Sequence, residues 1–252
     1  MPATPAWPPQ STPRLFLDQE LAPGMLRIDG PPAHYLVSVM RMKAGDPVKL
    51  FDDRTGEWLA LARDTGKRDL TVEITERLRE REAVPDLWLC AAPIKKGRID
   101  WVAEKACELG AARLAPVLTR RTVVDRLNLE RLRSHMIEAA EQCGRTAVPE
   151  LIEPVKLPAL LRDWPVDRTL FFADETGGEP AAHAMRSRRG PAAILVGPEG
   201  GFDEDERAAI RALPQSVGIG LGPRILRAET AAAAAMALWM GVAGDWGPNG
   251  TD

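Results

Sequence analysis

The run Ala192–Val196 (AAILV) is apolar at every position and passes without a polar break into Gly197-Pro198-Glu199-Gly200-Gly201. A strand with no polar side needs cover on both faces, which is the condition of a parallel sheet lined by helices. Helix signals follow at once. Asp203 stands three residues before Glu206, a capping-box spacing, at the head of DEDERAAIRAL. The order repeats further on. VGIGL (217–221) leads into Gly222-Pro223, Ile225, Leu226 and Arg227, and then into a strong helix-forming run from Ala228 to about Val242. Two strand–loop–helix junctions of this type predict an α/β fold, with ligands bound beyond the carboxyl ends of the strands.

Pro85 divides the chain. Before it, short alternating segments (LFLD, PVKLFDD, EWLALARD, DLTVEITERL) separated by turn signals predict a small β-rich domain over residues 15–84. One helical piece from Ala33 interrupts it. Barrels of this kind commonly bind nucleic acid, though strand pattern alone does not imply it. The segment MPATPAWPPQSTPR is expected to be a disordered arm over residues 1–14, and it has no apolar core of a signal peptide. After Pro85 strands and helices alternate through residue 252. LWLCAAP (87–93), ARLAPVLT and TLFFAD (169–174) read as further buried strands. Helices are expected from Ile99 to Leu109, stopped by Gly110, and from Leu129 to Cys143, with Asn128 as a cap and Gly144 as the stop.

No apolar run approaches the roughly 18 residues of a membrane helix, so no membrane partner is expected. Cys90, Cys107 and Cys143 form no CxxC pair, and His34, His135 and His183 lack metal-ligand spacing. Three free thiols, no metal and a reducing cytoplasm are the expectation. The net charge of −3 argues against a general nucleic-acid binder. Between Ile94 and His135, however, ten basic residues face five acidic ones. That stretch suits either phosphate tracking or a solvated helix face.

The chemistry of the GPEGG loop is constrained by its charge. Glu199 lies within it, and four acidic residues, Asp203 to Glu206, follow. A carboxylate about 4 Å from a phosphate repels it by roughly 1–4 kcal/mol, and no Lys-Ser or Lys-Thr pair offsets that here. A neutral or cationic ligand suits the loop better. A sulfonium such as S-adenosylmethionine meets the condition, although spacing alone does not select it.

At these residues the chain resembles a known family. ILVGPEGGF with LGPRILRAETA is similar to the cofactor-binding end of the SPOUT-class RNA methyltransferases, and more narrowly to the RsmE family, the 16S rRNA uridine-N3 methyltransferases. Residues 34–46 (HYLVSVMRMKAGD), 95–124 and 138–151 resemble that family's remaining blocks, in the expected order. The resemblance implies a PUA-like β-barrel followed by a trefoil-knotted α/β methyltransferase domain. It also implies a homodimer that methylates N3 of uridine 1498 in 16S rRNA on the assembled small ribosomal subunit.

Carried onto this sequence, the cofactor-binding set is Leu195, Val196, Gly197, Pro198, Glu199, Gly200, Gly201, Leu221, Gly222, Ile225, Leu226, Arg227, Thr230 and Ala231. Arg227 and Glu229 are the candidate catalytic groups, with Glu199 an alternative base for the N3 proton. Arg41, Arg120, Arg121 and Arg145 are the candidate RNA contacts. Three departures stand out. Ala228 replaces the usual Thr, KKGR is one residue short of the usual K-G-D-R form, and the linker over residues 125–129 carries little basic charge. Other readings left open are a different RNA acceptor, a non-enzymatic assembly factor and a nucleotide hydrolase.

Overall fold

A computed structural model describes residues 11–66, 69–95, 97–124 and 126–247. The chain forms two compact units. One takes residues up to Ala83 together with Ala140–Ala147, and the other takes Val84–Ala139 and Val148 onward.

In the first unit the alternating segments form β1 (Arg14–Phe16), β2 (Gly24–Asp29), β3 (Pro47–Phe51), β4 (Glu57–Thr65) and β5 (Asp69–Arg79), and α1 (Gly30–His34) follows β2. The strands pair in the order β1-β3-β4-β5-β2. The pairing therefore describes a five-stranded sheet with β1 and β2 at its ends rather than a ring. Only β1 and β3 run parallel. Register shifts in the β4–β5 pair mark bulges, which add local twist. Inward-facing Val48, Leu50, Trp58, Ala60, Leu70 and Val72 build the core with Leu15 and Leu36.

The expected helical piece from Ala33 changes form partway. α1 ends at His34, and Tyr35–Val39 forms a π-helical turn closed by Met40 N–H donating to Tyr35 O at 2.9 Å. The wider turn seats Leu36 in the core.

The arm expected over residues 1–14 lies outside the described residues through residue 10. Its last residues do not behave as an arm. Thr12 is buried, and Arg14 opens β1. Arg14 Nε donates to Glu57 Oε1 at 2.5 Å, and its Nη1 donates to the carbonyls of Ala140 and Glu141 at 2.6 and 2.9 Å. The linear boundary at residue 84 also omits Ala140–Ala147. Glu82 brings this segment into the first unit by accepting hydrogen bonds from Arg145 Nε and from the amides of Thr146 and Ala147, at 3.0–3.1 Å.

The second unit alternates strand and helix as the apolar runs predict. Its strands are β6 (Leu87–Ala91), β7 (Arg113–Leu118), β8 (Glu150–Leu151), β9 (Val155–Lys156), β10 (Thr169–Ala173), β11 (Glu179–Pro180), β12 (Ala192–Val196) and β13 (Ser216–Gly220). Its helices are α2 (Arg98–Glu108), α3 (Leu129–Cys143), α4 (Leu157–Arg162), α5 (Ala181–Ser187), α6 (Glu204–Ala212) and α7 (Ala228–Val242), although the last residues of α3 belong to the first unit. Asn128 Oδ1 accepts from Arg131 N at 2.9 Å and caps α3 as expected.

The strands are parallel, in the order β11-β13-β10-β12-β6-β7-β8, with β9 also on β7. Side chains alternate along β12, so Ala193 and Leu195 enter a cluster with Leu157, Phe202 and Ile210. The remaining β12 side chains point the other way. α7 packs against β12 and β6 and also touches α2 and α5.

Candidate active site at the ends of three strands

β10, β12 and β13 are parallel neighbours, so their carboxyl ends share one edge of the sheet. The loops leaving them line one cavity of about 560 Å³. β10 contributes Ala173, Asp174, Glu175 and Gly177. β12 contributes Val196 and the whole Gly197–Gly201 loop. β13 and its loop contribute Ile219 to Arg227, and α7 adds Ala228 and Ala231.

Local chemistry shapes the first loop. Phe202 is fully buried, and its ring lies 3.2 Å from where a Cβ on Gly197 would sit. A Cβ at 197 would require the ring to give by a few tenths of an ångström. Gly201 has φ +66°, and a Cβ there would meet Glu175 Oε1 at 2.5 Å. The loop then enters α6 through the predicted capping box. Asp203 Oδ1 accepts from Glu206 N at 2.7 Å, and Glu206 Oε2 accepts from Asp203 N at 3.1 Å.

The second loop is open. Ile225 is 89% exposed, and Arg224 and Arg227 are also exposed. Arg227 is the N-cap of α7, and its carbonyl accepts from Ala231 N at 2.8 Å. Its guanidinium forms no ion pair among the described residues. Glu229, in the first turn of α7, is mostly covered and has Oε2 buried without a hydrogen-bond partner among the described residues. Arg98, the first residue of α2, faces the carboxylates of both Glu199 and Glu229.

Of the fourteen residues expected to hold a cofactor, twelve line the cavity. Leu195 does not, because strand alternation turns its side chain into the core. Thr230 does not, because it lies on the exposed side of α7. Glu229 stands beside the lining rather than in it. The reading of single loops missed Arg98 and the β10 end. The signal for the latter was present: TLFFAD is a third buried strand running straight into a polar loop. Burial works to raise the Asp174 pKa, yet hydrogen bonds from the Thr176 hydroxyl and amide and from Arg211 hold it below the usual aspartate value.

The candidate RNA contacts divide. Arg41 is exposed in the first unit, with φ +56°. Arg145 is a correction: it is buried, and its guanidinium pairs with Glu82 at 3.0 Å. Arg120 and Arg121 are also engaged within the chain. Arg120 Nη1 meets Asp203 and Asp205 at 2.8 and 2.7 Å, and Arg121 Nη1 donates to Gly200 O at 2.6 Å. The acidic residues at the start of α6 that disfavour a phosphate ligand thus also take up a nearby cation. Burial pushes the Cys90 thiol up to about 12, which leaves it protonated. Among the described residues no His, Cys, Asp and Glu group could hold a metal ion, and no helix is long and apolar enough to cross a membrane.

Comparison with known proteins gives this geometry a relationship. Residues 80–240 match the RNA methyltransferase domain family, and residues 28–75 match the RNA methyltransferase PUA domain family. Ribosomal RNA small subunit methyltransferase E of Rickettsia conorii is 33% identical over 207 residues, covering 81% of this chain and 84% of the relative. The Bacillus subtilis protein of the same name is 30% identical over 220 residues, covering 81% and 85%. Among solved structures, Ribosomal RNA small subunit methyltransferase E from Neisseria gonorrhoeae, bound to S-adenosyl methionine, superposes with a TM-score of 0.85. It is 27% identical, covering 94% of this chain and all (100%) of the other. A Legionella pneumophila structure in complex with the bound cofactor SAM gives 0.81 at 28% identity, covering 91% and 97%. On these matches, an α/β methyltransferase unit with a PUA-like unit before it, the chain belongs to the ribosomal RNA small subunit methyltransferase E family.

Proposed function

We propose that this chain transfers a methyl group from S-adenosylmethionine to N3 of uridine 1498 in 16S rRNA, on the assembled small ribosomal subunit in the cytoplasm. The observation that carries the reading is the enclosure of one cavity by both the Gly197–Gly201 and Leu221–Arg227 loops, in a chain of this family. The residues present fit the cofactor. A cavity of about 560 Å³ lies in the size range of small-molecule sites. The glycines allow close backbone approach, and Leu221, Ile225 and Leu226 offer apolar surface to an adenine ring. The lining carboxylates are matched by cations: Arg207 pairs with Glu175, Arg98 faces Glu199, and Arg224 and Arg227 also line the cavity.

When bound, the cofactor supplies a methyl group on a positively charged sulfur. The protein must place N3 in line with that methyl group and remove the N3 proton. Arg227 has an uncommitted guanidinium at the cavity and stabilises the negative charge that develops on the uracil oxygens. Glu229, beside the cavity in the first turn of α7, is the group that accepts the N3 proton. Arg41 and the first unit bind the RNA, and Val84–Ala139 with the residues from Val148 onward form the methyltransferase unit.

Two finer readings belong to the same proposal. The strand order supports a SPOUT trefoil knot: β12 lies between β6 and β10, β13 lies beyond β10, and α7 returns from β13 to pack on β12 and β6. The homodimer rests on the family relationship, and Ile225, 89% exposed at the cavity, is a residue it would cover. The test is mass spectrometry of 16S rRNA from small subunits incubated with the chain and S-adenosylmethionine. A single methyl gain, mapping to N3 of that uridine, is expected. An unmodified nucleotide after complete incubation overturns the reading.

A further inference from the structure

The turn Thr119-Arg120-Arg121-Thr122 follows β7. It closes on itself: Thr122 Oγ1 accepts from Thr119 N at 3.0 Å and lies 3.0 Å from Thr119 Oγ1. From this turn several groups reach the β12 loop and the start of α6. Arg121 Nη1 donates to Gly200 O at 2.6 Å and more weakly to Phe202 O at 3.4 Å. The Arg120 amide donates to Glu206 Oε1 at 2.7 Å. Glu206 uses its other oxygen for the capping box, so the turn and the helix start share one buried carboxylate. A Cβ on Gly200 would meet the Arg121 stem at 3.4 Å, which puts the two segments in van der Waals reach.

We propose that Arg121 is a positioning residue for the ligand-binding loop: by holding the Gly200 carbonyl it sets the direction of the Gly197–Gly201 backbone. This rests on the reading of that loop as the S-adenosylmethionine site and deepens it. Gly200 and Gly201 have no side chain to anchor them, so a loop of such residues samples many conformations when left alone. A charge-assisted bond to its carbonyl restricts it before ligand arrives, and prior restriction raises affinity by lowering the ordering cost. The geometry separates Arg121 from Arg120. Both side chains are exposed, and they differ in their partners: Arg120 pairs with the carboxylates of Asp203 and Asp205. Arg121 aims its guanidinium at two main-chain carbonyls.

The test uses the full-length chain with Arg121→Ala and Arg121→Lys. Three quantities are read: amide hydrogen exchange over residues 197–207 without ligand, S-adenosylmethionine affinity by calorimetry, and affinity for small ribosomal subunits. For Arg121→Ala the expected results are faster exchange confined to the loop and S-adenosylmethionine affinity weaker by about tenfold. KM for the cofactor rises more than kcat falls, and subunit affinity is unchanged. Lysine, which can still donate one bond, recovers part of the affinity. Unchanged exchange with unchanged cofactor affinity overturns the proposal. So does lost subunit affinity with cofactor binding intact, since Arg121 would then be an RNA contact. A wild-type chain that binds no S-adenosylmethionine sinks the functional reading instead, and the exchange measurement still decides whether Arg121 holds the loop.

Discussion

Arg98 Nε lies 3.6 Å from Glu229 Oε1, and the same guanidinium places Nη1 3.8 Å from Glu199 Oε1. One cation from the start of α2 therefore faces both a carboxylate of the first cavity loop and one in the first turn of α7. Glu229→Gln keeps the shape of the side chain and removes its capacity to take a proton. We expect single-turnover methylation to slow by about 10²–10⁴-fold, with cofactor affinity within a fewfold of wild type. A glutamine variant with wild-type turnover would remove Glu229 from the chemistry.

Arg227→Ala should cost about 10²–10³-fold in turnover, the range for removing one donor to a developing anion. The melting temperature should not move, because the side chain is exposed and unpaired. Rates measured on small subunits beside a thermal melt check both halves. A large melting shift would show that the loss came through folding.

Phe202→Ala tests whether the loop is fastened from beneath. The ring is fully buried and packs under Gly197. Its removal should destabilise the methyltransferase unit by about 3–5 kcal/mol. Urea unfolding gives that number. Cofactor titration at low urea should show weakened binding even where the unit remains folded.

The acid limb of stability follows from three carboxyls. Burial acts to raise Asp52, Glu57 and Asp174, but hydrogen bonds outweigh it in each case. The donors are the Arg54 and Thr55 amides to Asp52, Arg79 and Arg14 to Glu57, and Thr176 and Arg211 to Asp174. All three are held below their ordinary values of 3.8, 4.5 and 3.8. A lowered folded pKa gives stability that is full above the unfolded value and is lost as pH falls through the folded one. The melting temperature should be flat from neutral pH to about 5 and should fall below about 4. Asp174→Asn should lower it at pH 7 and flatten the acid slope. An unchanged slope in that variant would show that Asp174 does not contribute.

What could be read from the sequence was what neighbouring residues decide among themselves. AAILV, TLFFAD and LWLCA read as buried strands because apolar runs of that length, closed by turn residues, are too short for a buried helix. Asp203 with Glu206 and Asn128 ahead of α3 announced helix starts, because a cap is satisfied within three residues. What lay beyond reach was settled across the fold. Arg120 and Arg121 resembled a phosphate-tracking pair until loop residues about 80 positions later took up their guanidiniums. Arg145, a candidate RNA contact by resemblance, is buried against Glu82, 63 residues earlier in the chain. Asp174 joined the cavity only because β10 lies next to β12 and β13.

The order in which the lining residues occur along the chain has a consequence for synthesis. Every wall but one is complete by Gly201, and the last is supplied by the stretch from Ile219 to Ala231. α7 then settles on β12 and β6, strands translated well before it. A nascent or prematurely terminated product ending before Gly222 could form most of the sheet and still lack the pocket. The complete pocket is therefore a property of the full-length chain, while the first unit needs nothing beyond Ala147.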